Sequence, residues 1–220
     1  TAKALGGNLA QVAAPAHRKL LVLDIDGVLI DAAESFAEAV RRALGVLRPG
    51  LPWTRDHFTA FKRVGGFNND FRLTAGALAL TEGDAASDLL PRLQAAEGLG
   101  FPELEGRIRD LEPGARREVQ RHYAETVTLE RSLITRKKLD LEGWDIAVLT
   151  GRPPEELDLA WRVLGFTLPG LCDSAPHLRK PEPGGLLQLA DAFRAEEILF
   201  VGDTRDDAAC LRAAALIRPE

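Results

Sequence analysis

The run Leu20–Ile30, LLVLDIDGVLI, constrains this chain more than any other stretch. Four consecutive apolar residues, Leu20–Leu23, fit a strand buried on both faces, the pattern of a parallel sheet covered by helices. Asp24 and Asp26 follow, one residue apart, and Gly27 ends the strand. Residues i and i+2 of a strand project to the same side, so persisting strand geometry predicts that both carboxylates face one site. Like charges that close repel, which raises one pKa. A cation between them relieves the repulsion, as does a proton held by one, and both conditions suit chemistry on phosphate. The alternative is a surface turn with two solvated aspartates. An apolar strand instead aims the pair at the carboxyl end of a sheet, where open α/β sheets bind ligands.

Beyond Ile30 the period changes. Phe36, Ala39, Val40, Ala43, Leu44 and Leu47 mark one face of a helix, Asp31 and Glu34 sit as a capping pair, and Pro49, Gly50 and Pro52 stop it. From Trp53 to Leu129 the pattern is helices and loops without a strand. Short helices are expected over 56–64 and 70–80, separated by the polar turn GGFNND at Gly65–Asp70. Residues 84–111, broken by Pro91, Gly98, Gly100, Pro102 and Gly106, allow only short helices. A longer helix is expected to start after Pro113 and Gly114, with Val119, Tyr123, Val127, Leu133 and Ile134 on its apolar line.

Alternation then returns. Trp144–Leu149 reads as a buried strand closed by Thr150-Gly151-Arg152-Pro153, and Glu155–Leu164 as a helix. A short strand is expected at Leu171–Cys172, a helix over 183–195, and a strand at Ile198–Val201 closed by Gly202-Asp203. A helix follows at Ala208–Ala215, with a last strand starting at Leu216–Ile217. Residues 1–17 read as a loose arm. Strands alternating with helices imply an α/β fold with a doubly wound parallel sheet, here carrying an inserted all-helical domain. The expected division is a core of residues 1–32 and 130–220 and a helical cap of residues 33–129, hanging over the strand ends as a lid.

The 220 residues suffice for such a core and insert. A net charge of −5 argues against a nucleic-acid partner, whose footprint is a basic domain. Arg116, Arg117 and Arg121 are interrupted by acidic residues and read as a solvated helix face. No apolar run reaches the length of a membrane span and no signal-peptide pattern opens the sequence. Cys172 and Cys210 form no disulfide framework, so a reduced cytoplasm is the expected setting. Nothing in the pattern fixes the oligomeric state.

Three apolar strands thus end in polar residues: Asp24 and Asp26 on the first, Thr150 on the second, and Asp203 on the third, with Asp206 and Asp207 behind it. Between the last two lies Arg179-Lys180-Pro181-Glu182-Pro183, a lysine held among prolines. Carboxylates hold Mg²⁺, a hard cation that takes few protein ligands, and a cation with a lysine neutralises phosphate oxygens. One carboxylate can attack phosphorus and a second can protonate the leaving group. No Cys/His set suggests zinc, and no Gly-x-x-x-x-Gly-Lys loop suggests a nucleoside triphosphate site.

In this order the residues resemble the haloacid dehalogenase (HAD) superfamily, and within it the Mg²⁺-dependent phosphatases with a helical cap, similar to the phosphoglycolate phosphatase group. DIDGVLID at Asp24–Asp31, LTGR at Leu149–Arg152, RKPEP at Arg179–Pro183 and VGDTRDD at Val201–Asp207 match the four family motifs in sequence. The resemblance implies a Rossmann-like core and hydrolysis of a small phosphorylated metabolite through an aspartyl-phosphate. It implies Asp24 as nucleophile and Asp26 as general acid and then base, its backbone carbonyl also touching the metal. Thr150 and the N–H of Gly151 would bind phosphate, Lys180 would bridge nucleophile and phosphate, and Asp203 and Asp207 would hold Mg²⁺. Asp206 is an ambiguous extra. Asp26 favours phosphate esters, because halide leaves without a proton. A phosphomutase using the same motifs is the alternative reading, and a non-catalytic protein that kept the fold is a third.

Lys62, Arg63, Asn68 and Asn69 could read a polar substrate, or the asparagines could simply close backbone bonds in a turn. His57, His122 and His177 lack ligand spacing, and Trp53, Trp144 and Trp161 read as packing residues.

Overall fold

A computed structural model describes residues 18–64, 66–83, 88–172 and 174–218; the expected arm at residues 1–17 lies outside them. In chain order the elements are β1 (Lys19–Leu23), β2 (Ile30–Asp31), α1 (Ala33–Leu47), α2 (Arg55–Arg63), α3 (Asp70–Leu80), α4 (Leu89–Ala95) and α5 (Glu105–Thr126). There follow β3 (Arg131–Ser132), β4 (Trp144–Leu149), α6 (Pro154–Leu164), β5 (Gly170–Leu171), α7 (Gly184–Phe193), β6 (Glu197–Val201) and α8 (Arg205–Ile217).

Four strands form a parallel sheet in the order β5-β4-β1-β6. The alternation of β1 explains its unbroken apolar run. Leu21 and Leu23 point to one face, against Ala160 and Leu164 of α6. Leu20 and Val22 point to the other, against Leu186 and Leu189 of α7 and Cys210 and Ala214 of α8. Helices therefore cover both faces, as a parallel sheet requires. The chain leaves β1 toward β4 and β5, then returns to place β6 on the other side of β1. The carboxyl end of β1 is thus a topological switch point, where a crevice opens. Register aligns Leu23 with Val148 and with Val201. Asp24, Thr150 and Asp203 follow within two residues of that line.

Between β2 and β3 the chain builds a helical unit with its own apolar cluster, from Ala37 to Tyr123. At its centre α3 is buried almost all round, and Gly76 has no room for a Cβ, which would overlap the ring of Phe67. The two crossings between this insert and the sheet are paired antiparallel, Ile30 with Ser132 and Asp31 with Arg131.

Several expectations need correction. Pro113 and Gly114 do not precede the long helix but lie inside it, since α5 runs from Glu105 to Thr126. Pro113 is exposed, so its ring stands on the outer face of the helix and displaces no core packing. Tyr123 and Val119 are buried on α5, whereas Leu133 is half exposed and Ile134 packs on the sheet side. Asp31 and Glu34 do not form a capping pair: α1 starts at Ala33 without a side-chain cap, and Glu34 pairs with Arg55 at 2.8 Å. Leu216 and Ile217 start no strand; they finish α8, largely exposed. Cys172 and Cys210 make no disulfide. No helix among the described residues is long and apolar enough to cross a membrane.

Candidate active site

Asp24 follows β1 directly and its N–H donates to the carbonyl of Val201, at 2.9 Å, which ties it to the end of β6. Its carboxylate is buried, taking the N–H of Ile25 at 2.7 Å and the Lys180 ammonium at 2.7 Å. Lys180 reaches Asp207 Oδ1 at 2.5 Å with the same ammonium. Asp24, Asp203 and Asp207 bring one carboxylate oxygen each within 4.8 Å of one another. Asp206 is not in this set.

Asp207 is fixed by a capping box at the start of α8. Thr204 donates to Asp207 Oδ2 through its hydroxyl at 2.6 Å and its N–H at 2.9 Å, and the N–H of Asp207 returns to the Thr204 hydroxyl at 3.2 Å. Its other oxygen remains for the site. Two glycines make room for the acids. Gly27 has φ +73°, and a Cβ there would overlap the carboxylate of Asp203; a Cβ on Gly202 would overlap that of Asp207.

The electrostatics follow from crowding. Burial pushes the Asp24 carboxyl up to about 7, Asp26 and Asp207 push the same way, and Lys180 pulls against them. Burial also raises Asp203, with Asp207 adding to it. Burial works against the Lys180 ammonium, but Asp24 and Asp207 outweigh it and hold that group above its ordinary range. Three carboxylates around one lysine therefore carry a surplus of negative charge. Hard oxygen donors in that number, in a cradle kept open by glycines, suit a divalent cation such as Mg²⁺.

Thr150 is buried at the end of β4, its N–H on the carbonyl of Leu171 at 3.1 Å and its hydroxyl accepting from the N–H of Arg152 at 3.2 Å. Gly151, beside it, is exposed, with no neighbour within 4 Å of where a Cβ would stand.

Asp26 departs from the simplest expectation. Strand geometry stops at Leu23, so alternation does not carry Asp26 into the same cluster. Its carboxylate turns to Arg152, taking Nε at 3.1 Å on both oxygens and Nη2 at 2.5 Å. Arg152 is only 2% exposed. Its remaining N–H groups go to the Tyr123 hydroxyl, at 2.5 Å, and to both oxygens of Glu130, at 3.1 Å. Glu130 also accepts from Tyr123 at 2.7 Å and Ser35 at 2.8 Å. Sequence reasoning missed this array. Arg152 was visible within LTGR, but Tyr123, Glu130 and Ser35 are far apart in the chain and carry no motif.

Glu156, one turn beyond Arg152, was missed as well. It is 4% exposed and its Oε1 has no hydrogen-bond partner among the described residues. Burial pushes its carboxyl up to about 8; Arg152 opposes this, while Asp26, Asp70 and Glu155 add to it.

On the insert, Asn69 closes backbone bonds: it caps α3, accepting from Phe71 at 3.0 Å and Arg72 at 3.1 Å. Lys62 pairs with Asp70 at 2.9 Å and donates to the carbonyl of Asn68. His57 takes the N–H of Thr54 at 3.1 Å and stacks on Trp53, a local turn and not a ligand set. Gly65 lies outside the described residues.

A family model described as haloacid dehalogenase-like hydrolase matches residues 18–215. A phosphoglycolate phosphatase from Cereibacter sphaeroides is 30% identical over 213 residues, spanning 89% of this chain and 81% of its own length. Among solved structures, phosphatase Tt82 from Thermococcus thioreducens superposes with a TM-score of 0.69 at 24% identity, over 91% of this chain and 90% of that one. A HAD-superfamily hydrolase of subfamily IA from Geobacter sulfurreducens gives 0.56 at 21% identity, over 91% and 86%.

Proposed function

The chain belongs to the haloacid dehalogenase-like hydrolases, and from that membership we propose that it is a Mg²⁺-dependent phosphatase acting on a small phosphorylated metabolite. The observation that carries this reading is the convergence of Asp24, Asp203 and Asp207 within 4.8 Å, with Lys180 bonded to two of them. We assign residues 33–129 as the cap and residues 1–32 and 130–220 as the core, in a cytoplasmic enzyme.

The cation would be held by Asp24, Asp203, Asp207 and the backbone carbonyl of Asp26, and it supplies charge neutralisation of the phosphate and of the nucleophile. Asp24 attacks phosphorus, forming an O–P bond as the ester O–P bond breaks. The electron pair stays on the leaving oxygen, which takes its proton from Asp26. The alcohol departs and a water enters. Asp26, now a carboxylate, takes the water's proton as that oxygen attacks phosphorus. Inorganic phosphate is released and Asp24 is restored. Lys180 neutralises phosphate oxygens beside Asp24, and Thr150 with the N–H of Gly151 holds them in place.

The phosphatase reading is tested with Asp24→Asn. The variant keeps the shape of the site and loses the nucleophile, so it should fold normally and release no phosphate from a panel of metabolites that includes phosphoglycolate and hexose phosphates. A folded Asp24→Asn protein that turns over at the wild-type rate overturns the assignment.

A further inference from the structure

Glu156 is a buried ionisable group that the proposed reaction does not use. With Ala160 and Leu164 it forms the buried face of α6, at i, i+4 and i+8. Ala160 and Leu164 pack on Leu21 and Leu23 of β1, so Glu156, in the first turn of α6, lies at the carboxyl end of the sheet. The residues around it meet the insert. Glu155 accepts from Gln120 of α5 at 2.7 Å, and Leu159 packs on the insert's apolar cluster.

Asp70 opens α3 on the insert side, and α5 brings the two acids to one boundary. Arg116 of α5 lies over the Phe71 ring at 4.2 Å, and Gln120, one turn further on, holds Glu155. Asp70 and Glu156 each neighbour one of these contacts in sequence. Burial raises the carboxyls of both; beyond it, Glu156 feels Asp26 and Asp70, and Asp70 feels Lys62 and Asp26.

Neither nearby cation is free for Glu156. Arg152 already serves two acids, Asp26 and Glu130, and Lys62 is paired with Asp70. Glu156 Oε1 is left without a hydrogen-bond partner among the described residues, although the residue is buried. A buried acceptor with nothing to accept carries its full desolvation cost, and departures of this kind concentrate where function uses them. A donor would satisfy the group. Where acids outnumber the cations bonded to them, a cationic donor is favoured over a neutral one, and an anionic group is repelled.

We propose that Glu156, with Asp70 across the boundary, forms a subsite for an ammonium group on the leaving alcohol, so that the substrate is a phosphorylated amino alcohol and not a phosphorylated acid. This rests on the phosphatase reading, which places the ester oxygen beside Asp26.

The test compares esters that differ only at the far end of the alcohol. Aminoalkyl phosphates of two, three and four carbons are assayed with Mg²⁺ beside alkyl and hydroxyalkyl phosphates of matching length, with phosphoglycolate as the anionic case. A hydrogen bond between charged partners is worth roughly 10- to 100-fold in binding. One aminoalkyl phosphate should therefore exceed its alkyl and hydroxyalkyl counterparts at least about tenfold in kcat/KM, and phosphoglycolate should fall below it. Glu156→Gln keeps the shape of the side chain and removes its charge. Once circular dichroism and a thermal melt show the variant folded, its aminoalkyl-to-alkyl ratio should be about tenfold lower than that of wild type. A wild-type ratio near one at every chain length overturns the ammonium subsite and leaves the phosphatase standing. So does an equal gain for the hydroxyl esters, a preference for phosphoglycolate, or a ratio that survives Glu156→Gln. p-Nitrophenyl phosphate separates the two kinds of failure. A wild-type protein that hydrolyses neither it nor any of the other esters with Mg²⁺ overturns the phosphatase reading and this inference with it.

Discussion

Lys180 Nζ lies 2.7 Å from Asp24 Oδ2, at the end of a loop that the sequence places more than a hundred residues away from β1. Both groups are buried, and the same ammonium is bonded to Asp207. The lysine is therefore the positive partner of two acids that would otherwise repel.

Lys180→Gln tests that dependence. Removing one partner of a buried pair leaves uncompensated charge and costs about 3–5 kcal/mol, and loss of a preorganised donor lowers kcat by about 10²–10³. The variant should melt lower than wild type. Because a divalent cation can replace part of the lost charge, Mg²⁺ should raise its Tm by more than it raises that of wild type. Equal Mg²⁺ effects on the two melts would show that the acids and the cation do not share a site.

The glycine cradle makes a second prediction. Gly27 combines φ +73° with a Cβ position occupied by the Asp203 carboxylate. Gly27→Ala adds about 1–2 kcal/mol of backbone strain and forces Asp203 aside. The Mg²⁺ concentration giving half-maximal activity should rise several-fold, read by metal titration. Gly45 is the control: it lies within α1 with nothing within 4 Å of a Cβ, so Gly45→Ala should stabilise by about 0.5–1 kcal/mol and leave the titration unchanged.

The two adjacent aspartates separate in a third experiment. Asp207 belongs to the three-carboxylate cluster and Asp206, on the neighbouring face of α8, does not. Asp207→Asn should weaken Mg²⁺-dependent turnover by about 100-fold or more, and Asp206→Asn by less than about twofold, within the range of ordinary surface substitutions. Chelation with EDTA should stop turnover of both wild type and Asp206→Asn, and added Mg²⁺ should restore it. Turnover that persists in EDTA would remove the cation from the reaction.

Much of this was legible because it is local. The buried run Leu20–Leu23, the strand at Trp144–Leu149 and the polar residues closing each strand are written within a few positions of one another, so periodicity and order found them. What sequence reasoning missed depends on distance or on compensation. Pro113 ordinarily starts or breaks a helix, but it stands on the exposed side of α5, and burial of Ile108, Ala115 and Val119 carries the helix through. Strand alternation predicts that Asp26 shares a side with Asp24; the strand stops at Leu23, before either residue, and the Asp26 carboxylate meets Arg152 instead. Tyr123 and Glu130 acquire meaning only from their contact with a guanidinium that a motif held without assigning it a task.

The last prediction concerns Glu156. An ordinary glutamate near 4.5 is pushed up to about 8 here, chiefly by burial. Between those values the unfolded chain has released the proton and the folded protein still holds it. The folded state then binds more protons, so stability falls as pH rises through this window and levels off above it. Glutamine has nearly the same shape and cannot ionise. Glu156→Gln should therefore match wild type near pH 4.5 and be more stable above pH 8. At about 1.4 kcal/mol per pKa unit the gain is on the order of 2–5 kcal/mol, several degrees in Tm for a chain of this length. Thermal melts at pH 5 and pH 9 decide it. A Tm difference that is the same at both values would mean that Glu156 ionises alike in the folded and unfolded chain, and that its buried carboxyl has found a partner.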